Sequence, residues 1–104
     1  MDTITAKDLK AMRKHAGSAA AMMAALSHEA RLRVLCDLVG GERSAGELVK
    51  RSGLSQSALS QHLSKLRDEG LVSTRRDGVS IFYSIANPDA ARIMDVLYEI
   101  YCER

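Results

Sequence analysis

The sequence predicts a mainly helical domain with one β-hairpin, and three observations support this fold class. Apolar residues recur at helical spacing in the first part of the chain and again after Pro88. Two short helical stretches, separated by Ser52-Gly53, lie between these regions, and strand-like residues flank Asp77-Gly78. Two helices joined by a tight turn and followed by a hairpin make a winged helix-turn-helix, in the order ααααββα.

The first helix is predicted over residues 6–26, which carry a continuous apolar stripe. Because further alanines widen this stripe, we expect the helix to pack against a second subunit as well as against its own core. Ser27 is the expected N-cap of the second helix, which ends at Gly40-Gly41. The stripe of the first helix is Leu9, Met12, Ala16, Ala19, Met23 and Leu26, and that of the second is Leu32, Leu35, Cys36 and Val39.

Capping residues mark the third and fourth helices. Ser44 and Glu47 have the spacing of a capping box, which begins a short helix that runs to Arg51. Ser55 is the expected N-cap of the next helix, Gln56 to Glu69, and Gly70 follows its end.

The last third of the chain predicts two strands and a helix. The strands are expected over Leu71–Arg76 and Val79–Ile85, and Asn87-Pro88 supplies an N-cap and a first-turn proline for the helix. The apolar stripe of this helix is Ala90, Ile93, Met94, Leu97, Ile100 and Tyr101.

The fourth helix has one apolar face and one polar face. At about 100° per residue, Leu59, Leu63 and Leu66 fall on the side expected to be buried. The opposite side has no acidic residue before Asp68. Its groups suit the major groove of DNA, where Gln pairs with adenine and Lys contacts guanine or phosphate. The candidate DNA-binding residues of this helix are Gln56, Ser57, Ser60, Gln61, His62, Ser64 and Lys65.

The hairpin adds two cations to this surface. Arg75 and Arg76 lie near its tip, where a wing reaches phosphates or the minor groove. The net charge is only +2, with a basic excess in residues 41–78 and an acidic excess in residues 79–104. We expect double-stranded DNA as the partner. The alternative is a winged helix that binds another protein through the same polar surface.

Two segments of the chain resemble the ArsR/SmtB family of bacterial repressors. Residues 25–35, Ala-Leu-Ser-His-Glu-Ala-Arg-Leu-Arg-Val-Leu, are similar to the second-helix signature of the family, and residues 53–63 are similar to its recognition helix. Gly70-Leu71-Val72 and the arginine-rich wing continue the resemblance, which covers residues 20–85. It implies a homodimer, with the first and last helices at the interface, that binds a palindromic operator and releases it when an inducer binds.

Many members of that family sense metals, but the metal sites that the resemblance implies have no ligands here. Ser44 and Gly46 stand where one site would need cysteines, and no histidine follows His62 to complete the other. Carboxylates alone do not make a zinc or copper site. His28, next to Ser27, is expected to be a surface or capping residue. We therefore expect neither a metal nor a cofactor.

Cys36 and Cys102 remain as candidate sensor thiols. The sequence resembles the subgroup of the biofilm-growth-associated and sulfide-responsive repressors, which has one cysteine in each of these two places. This resemblance implies that a persulfide inducer reacts with the two thiols and closes a disulfide or polysulfide bridge. Three alternatives stay open: Cys36 as a packing residue of a regulator that binds DNA constitutively, a thiol-bound metal sensor, and a haem sensor.

Length and composition set further limits. The 104 residues fit one domain, over residues 1–104, with dimerisation helices at both ends. No apolar run approaches the ~20 residues needed to cross a bilayer, and the N-terminus lacks a secretory apolar segment. We expect a cytoplasmic protein with free thiols. An enzyme, such as a reductase or a sulfurtransferase, is not expected, because the sequence has no Cys-x-x-Cys and no glycine-rich phosphate loop.

Overall fold

The computed structural model describes residues 3–102, with five helices and three strands. In chain order these are α1 (Ala6–Leu26), α2 (Glu29–Val39), β1 (Arg43–Ser44), α3 (Ala45–Ser52), α4 (Gln56–Asp68), β2 (Val72–Asp77), β3 (Ser80–Ile85) and α5 (Pro88–Tyr101). The predicted winged helix-turn-helix is confirmed. Helices α3 and α4 form the helix-turn-helix, and the hairpin of β2 and β3 forms the wing.

The predicted order ααααββα is wrong in one respect, since it omits β1. This strand pairs with β3 in antiparallel fashion, with Arg43 opposite Tyr83 and Ser44 opposite Phe82, so the sheet order is β1-β3-β2. A strand of two residues is too short to show the alternating pattern by which strands are recognised. Because Ser44 is also the N-cap of α3, β1 attaches the start of the helix-turn-helix directly to the wing.

Local hydrogen bonds explain where α3 and α4 begin. The predicted capping box is confirmed: the Glu47 amide donates to Ser44 Oγ at 3.1 Å, and the Ser44 amide donates to the Glu47 carboxylate at 3.2 Å. Ser55 caps α4, where its Oγ accepts from the Ala58 amide at 3.1 Å. The caps that define the helix-turn-helix were therefore readable from sequence.

The start of α2 differs from the prediction that Ser27 is its N-cap. Helix α1 continues to Leu26, and Ser27 is its C-cap, with its amide donating to the Ala24 carbonyl at 3.1 Å. The next residue, His28, is extended, and its Nδ1 accepts from the Ala30 amide at 3.1 Å. The expectation that His28 is a surface or capping residue is confirmed, with an imidazole nitrogen serving where a hydroxyl was predicted.

The ends of four elements move by one residue. Asp77 pairs with Ser80, so the hairpin loop is Gly78-Val79 and not Asp77-Gly78. Gly78 has φ +64°, a conformation that glycine adopts at no steric cost. Helix α3 runs one residue past Arg51, and α4 ends one residue before Glu69.

The core lies where α2, α3, α4, the sheet and α5 meet. The predicted inward face of α4 is confirmed, since all three of its leucines are buried. Helix α1 contributes only its last turn, while residues 6–18 are exposed. Within residues 3–102, no helix has the length and hydropathy that crossing a bilayer requires. The buried apolar residues are Ala25, Leu26, Val34, Leu35, Leu38, Leu48, Leu59, Leu63, Leu66, Leu71, Val72, Ala90 and Met94.

Candidate DNA-binding surface and thiol groove

Helix α4 presents most of its candidate DNA-binding residues to solvent. Its buried leucines fix the rotation of the helix, and six of the seven candidates are then exposed: Gln56, Ser57, Ser60, Gln61, Ser64 and Lys65. The first turn of α4 contains no acidic residue, so the partial positive charge of the helix N-terminus is uncompensated there. This face can therefore approach an anionic backbone.

Two acidic residues at the end of α4 modify this face. Asp68 lines the same shallow depression as Ser57, Gln61 and Lys65. The Lys65 Nζ lies 3.4 Å from a carboxylate oxygen of Glu69, the C-cap of α4, so the lysine charge is partly compensated. The last turn of α4 also carries Arg67, which is exposed.

His62, the seventh candidate of α4, has different surroundings. It is half-buried, and its ring centroid lies 4.2 Å from that of His28 at the start of α2. The Arg31 Nη1 is 3.5 Å from His62 Nδ1. Desolvation, with further contributions from the charges of His28 and Arg31, lowers the pKa of His62 below its ordinary value. The side chain therefore packs against α2 and links the two helices.

Arg31 also holds the end of α1. Its Nε donates to the Ala25 carbonyl at 2.6 Å, and its Nη2 donates to the Ala24 carbonyl at 3.4 Å. One guanidinium thus contacts the last turn of α1 and the recognition helix α4. Nothing in the sequence pattern indicated this role, because the three partners are brought together only by the fold.

The two arginines of the wing have different partners. The Arg75 guanidinium forms a two-pronged ion pair with Glu42, in which its Nε lies 2.9 Å from Glu42 Oε2 and its Nη2 contacts Oε1. It also lies 4.5 Å above the ring of Phe82. This partner holds the pKa of the Glu42 carboxyl below its usual range. Within the part of the chain that the structure describes, the exposed Arg76 has no such partner, so it is the uncompensated cation of the wing.

The two cysteines lie on one groove. Cys36 is on the exposed side of α2, and Cys102 is the C-cap of α5. Both are free thiols. The groove between the two helices has a volume of about 820 Å³. Its lining residues are Leu32, Cys36, Val39, Met94, Asp95, Leu97, Tyr98, Tyr101 and Cys102.

The electrostatic surroundings of Cys36 disfavour its thiolate. Partial burial in the groove raises the pKa of the Cys36 thiol, and the charges of Asp37 and Cys102 raise it further. Among residues 3–102, no cluster of three or more His, Cys, Asp and Glu side chains could hold a metal ion.

Comparison with known proteins identifies the family to which this chain belongs. The sequence model described as bacterial regulatory protein, arsR family, matches residues 28–74, a segment that includes α2, α3 and α4 and reaches into β2. The transcriptional activator HlyU of Vibrio cholerae is 41% identical over 96 residues, which are 92% of this chain and 89% of that protein. This chain belongs to the ArsR family of bacterial regulatory proteins. It is a DNA-binding transcriptional regulator and not an enzyme.

Other ArsR relatives match over nearly the whole chain. The biofilm growth-associated repressor of Agrobacterium fabrum is 45% identical over 90% of this chain and 80% of its own. The crystal structure of the repressor BigR from Xylella fastidiosa superposes with a TM-score of 0.85, at 42% identity over 91% of this chain and 97% of that one. Reduced HlyU from Vibrio cholerae gives a TM-score of 0.84, at 41% identity over 89% of this chain and 98% of that one. The resemblance predicted from the two sequence segments is confirmed.

Proposed function

We propose that this ArsR-family chain is a homodimeric repressor whose affinity for a palindromic operator is controlled by Cys36 and Cys102. In this proposal a persulfide reacts with the two thiols, links α2 to α5 within one chain, and releases the DNA. The observation that carries the proposal is the shared groove, in which thiols 66 residues apart in sequence line one cavity.

The DNA-binding part of the proposal rests on α4 and the wing. The exposed hydroxyls and amides of α4 can approach base edges, and Arg76 can reach a phosphate beside them. A dimer would present two copies of α4 to two half-sites about 34 Å apart. The exposed apolar residues of α1 and α5 supply the surface for that dimer, with Leu9 57% and Met12 56% exposed in α1 and Ile100 62% exposed in α5.

The chemistry balances without a further oxidant. Each cysteine thiolate attacks the outer sulfur of a persulfide RSSH, the S–S bond breaks, and the thiol RSH leaves with a proton. One protein persulfide then attacks the inner sulfur of the other and expels hydrogen sulfide. The sum is two RSSH and one dithiol giving one trisulfide, two RSH and one hydrogen sulfide. The cysteines are oxidised and the expelled sulfane sulfur is reduced to sulfide.

A bridge at this place can affect DNA binding through α2. Cys36 lies on α2, whose first turns contact the recognition helix through the His28 and Arg31 contacts to His62. Cys102 lies at the end of α5, next to the exposed apolar surface proposed for the dimer. A change in the distance between α2 and α5 would therefore alter the position of α4 against α2. It would also alter the distance between the two copies of α4 that bind the two half-sites.

The deciding experiment measures DNA release and protein mass together. A binding site is first selected from random duplex DNA, and the complex is then treated with an alkyl persulfide. We expect wild-type protein to lose the DNA, to gain whole sulfur atoms less two hydrogens within one chain, and to recover with dithiothreitol. Cys36→Ser and Cys102→Ser should each keep DNA binding, gain sulfur without losing the two hydrogens, and stay bound.

Two outcomes would contradict the proposal. Release of a Cys36→Ser/Cys102→Ser double variant by persulfide would mean that these thiols are not the sensor. A wild-type protein that closes the bridge and still binds DNA would be a constitutive regulator with incidental cysteines. Zinc and haem are added in parallel, and release by either without a gain of sulfur would favour the thiol-bound metal or haem alternative.

A further inference from the structure

We propose that the groove at Cys36 and Cys102 selects an uncharged, apolar carrier of sulfane sulfur over an anionic one. This inference rests on the proposed function, because it names the class of donor that reaches the two thiols.

The size of the groove means that it contacts the carrier as well as the reacting sulfur. Its volume of about 820 Å³ greatly exceeds what a few sulfur atoms occupy and falls within the range of small-molecule sites. The groove therefore has room for the R group of a donor RSSH whose outer sulfur lies at either thiol. The lining then discriminates between different R groups.

The lining favours apolar carriers. Apart from the two cysteines, six of the seven lining residues are aliphatic or aromatic, from α2 and α5. An alkyl carrier gains contact with these side chains as it leaves water. A charged carrier loses hydration there, and the lining has no lysine or arginine to compensate it.

The acidic residue of the lining adds electrostatic repulsion against an anionic donor. Asp95 is the one carboxylic residue among the lining residues named above. Asp37, next to Cys36, adds negative charge on the α2 side, although its carboxylate lies 3.3 Å from the Arg51 guanidinium and is partly compensated. Asp95 is therefore the residue whose charge an anionic donor meets inside the groove.

The test uses three alkyl hydropersulfides of equal chain length that end in a methyl group, a carboxylate or a trimethylammonium group. Rates of sulfur transfer to the protein are followed by mass spectrometry and divided by rates with N-acetylcysteine amide, which removes intrinsic differences in reactivity. We expect the methyl donor to exceed the carboxylate donor by roughly tenfold after this correction, the factor that 1.4 kcal/mol of discrimination gives. The cationic donor should fall between them.

Three variants separate the contributions of the groove. Asp95→Asn should raise the corrected rate of the carboxylate donor relative to that of the methyl donor. Val39→Asn places an amide at a lining position that is half exposed, and it should lower the rate of the methyl donor. Val79→Asn is the matched control, because Val79 is fully exposed at the hairpin loop and outside the groove. It should change none of the three rates.

Each outcome decides between the two proposals. Corrected rates that are equal for the methyl and carboxylate donors, or that favour the carboxylate, overturn the selectivity and leave the thiol sensor intact. A protein that none of the three donors bridges contradicts the proposed function itself, and the selectivity with it.

Discussion

The two adjacent arginines of the wing differ in how much positive charge they offer to DNA. Strand alternation sends their side chains to opposite faces of the hairpin. On one face the Arg75 guanidinium is compensated by Glu42 and covered on one side by Phe82. On the other face Arg76 is exposed to solvent. The neighbours in the fold, and not the sequence, distinguish them.

Arg76→Ala should therefore weaken binding to every DNA sequence. Each lost phosphate contact removes about 0.9 from the slope of log affinity against log salt, so the slope should fall by about one unit per half-site. Arg75→Ala is the matched control and should change the slope less, since its charge is already paired. Fluorescence anisotropy over a salt series measures both. Equal slopes for Arg76→Ala and wild type would show that Arg76 does not contact phosphate.

His62 should make the stability of the fold depend on pH. Its pKa is lowered in the folded chain, so the unfolded state binds a proton more readily as the pH falls below about 6.5. The free energy of unfolding should then decrease from pH 7.5 to pH 5.5, because protonation favours the unfolded chain over this interval. Urea titrations at both values measure the difference. His62→Gln should reduce the pH dependence, while His15→Gln, on the exposed part of α1, should leave it unchanged.

At the scale of elements, the polar face of α4 is the surface that we propose recognises the DNA sequence. If Gln61 reads a base edge, Gln61→Ala should reduce the preference for the selected site over random DNA by roughly 1–3 kcal/mol. Competition assays with matched specific and random duplexes give this ratio directly. If the affinity of Gln61→Ala falls by the same factor for the specific and the random duplex, this residue contacts the backbone. Another face of α4 then reads the bases.

The sequence predicted those parts of the elements that local contacts determine. Ser44, Ser55 and Asn87 were recognisable as caps because each bonds to an amide two or three residues away. The strand β1 was not predicted, since it exists only by pairing with β3 across the fold. The predicted apolar stripe of α2 is only partly right, because its buried residues are Val34, Leu35 and Leu38. Of the predicted stripe, Cys36 and Val39 are exposed and line the groove.

The candidate site was predictable only in part for the same reason. The exposed face of α4 follows from helical geometry once its leucines are buried. The pairing of Arg75 with Glu42 joins residues 33 apart, and no local pattern signals it. The placement of the two cysteines came from a family resemblance, because nothing in the spacing of 66 residues requires the thiols to share a cavity.

As a whole molecule, the single chain is elongated. Its radius of gyration is 15.6 Å and its extents are 52 × 31 × 22 Å, whereas a compact chain of this length has a radius of gyration of about 13 Å. The difference comes from α1, whose residues before the last turn extend away from the body of the chain. An apolar helix that leaves its own core needs another surface to cover it.

We therefore expect a dimer that persists at low micromolar concentration. Sedimentation equilibrium measures this directly. Met12→Glu on α1 should shift the protein towards monomer, because it places a charge on the exposed apolar surface, while its far-ultraviolet spectrum stays that of the wild type. Val79→Glu is the control, since it adds the same charge at the hairpin loop. A folded wild-type monomer at these concentrations would contradict both the dimer and the two-half-site mode of binding.

Helix α1 is attached to the body of its own chain only at its last turn. A small rotation there therefore moves the other end of the helix by a larger distance. A helix of 21 residues is about 31 Å long at 1.5 Å per residue. Arg31 donates a hydrogen bond to the last turn of α1 and also contacts α4. A tilt of about 10° at that turn would displace the far end by about 5 Å, which is more than the 3.4 Å rise of one base pair along DNA. In the proposed dimer, which uses the exposed apolar surface of α1, a displacement of this size at the subunit interface would exceed the rise of one base pair.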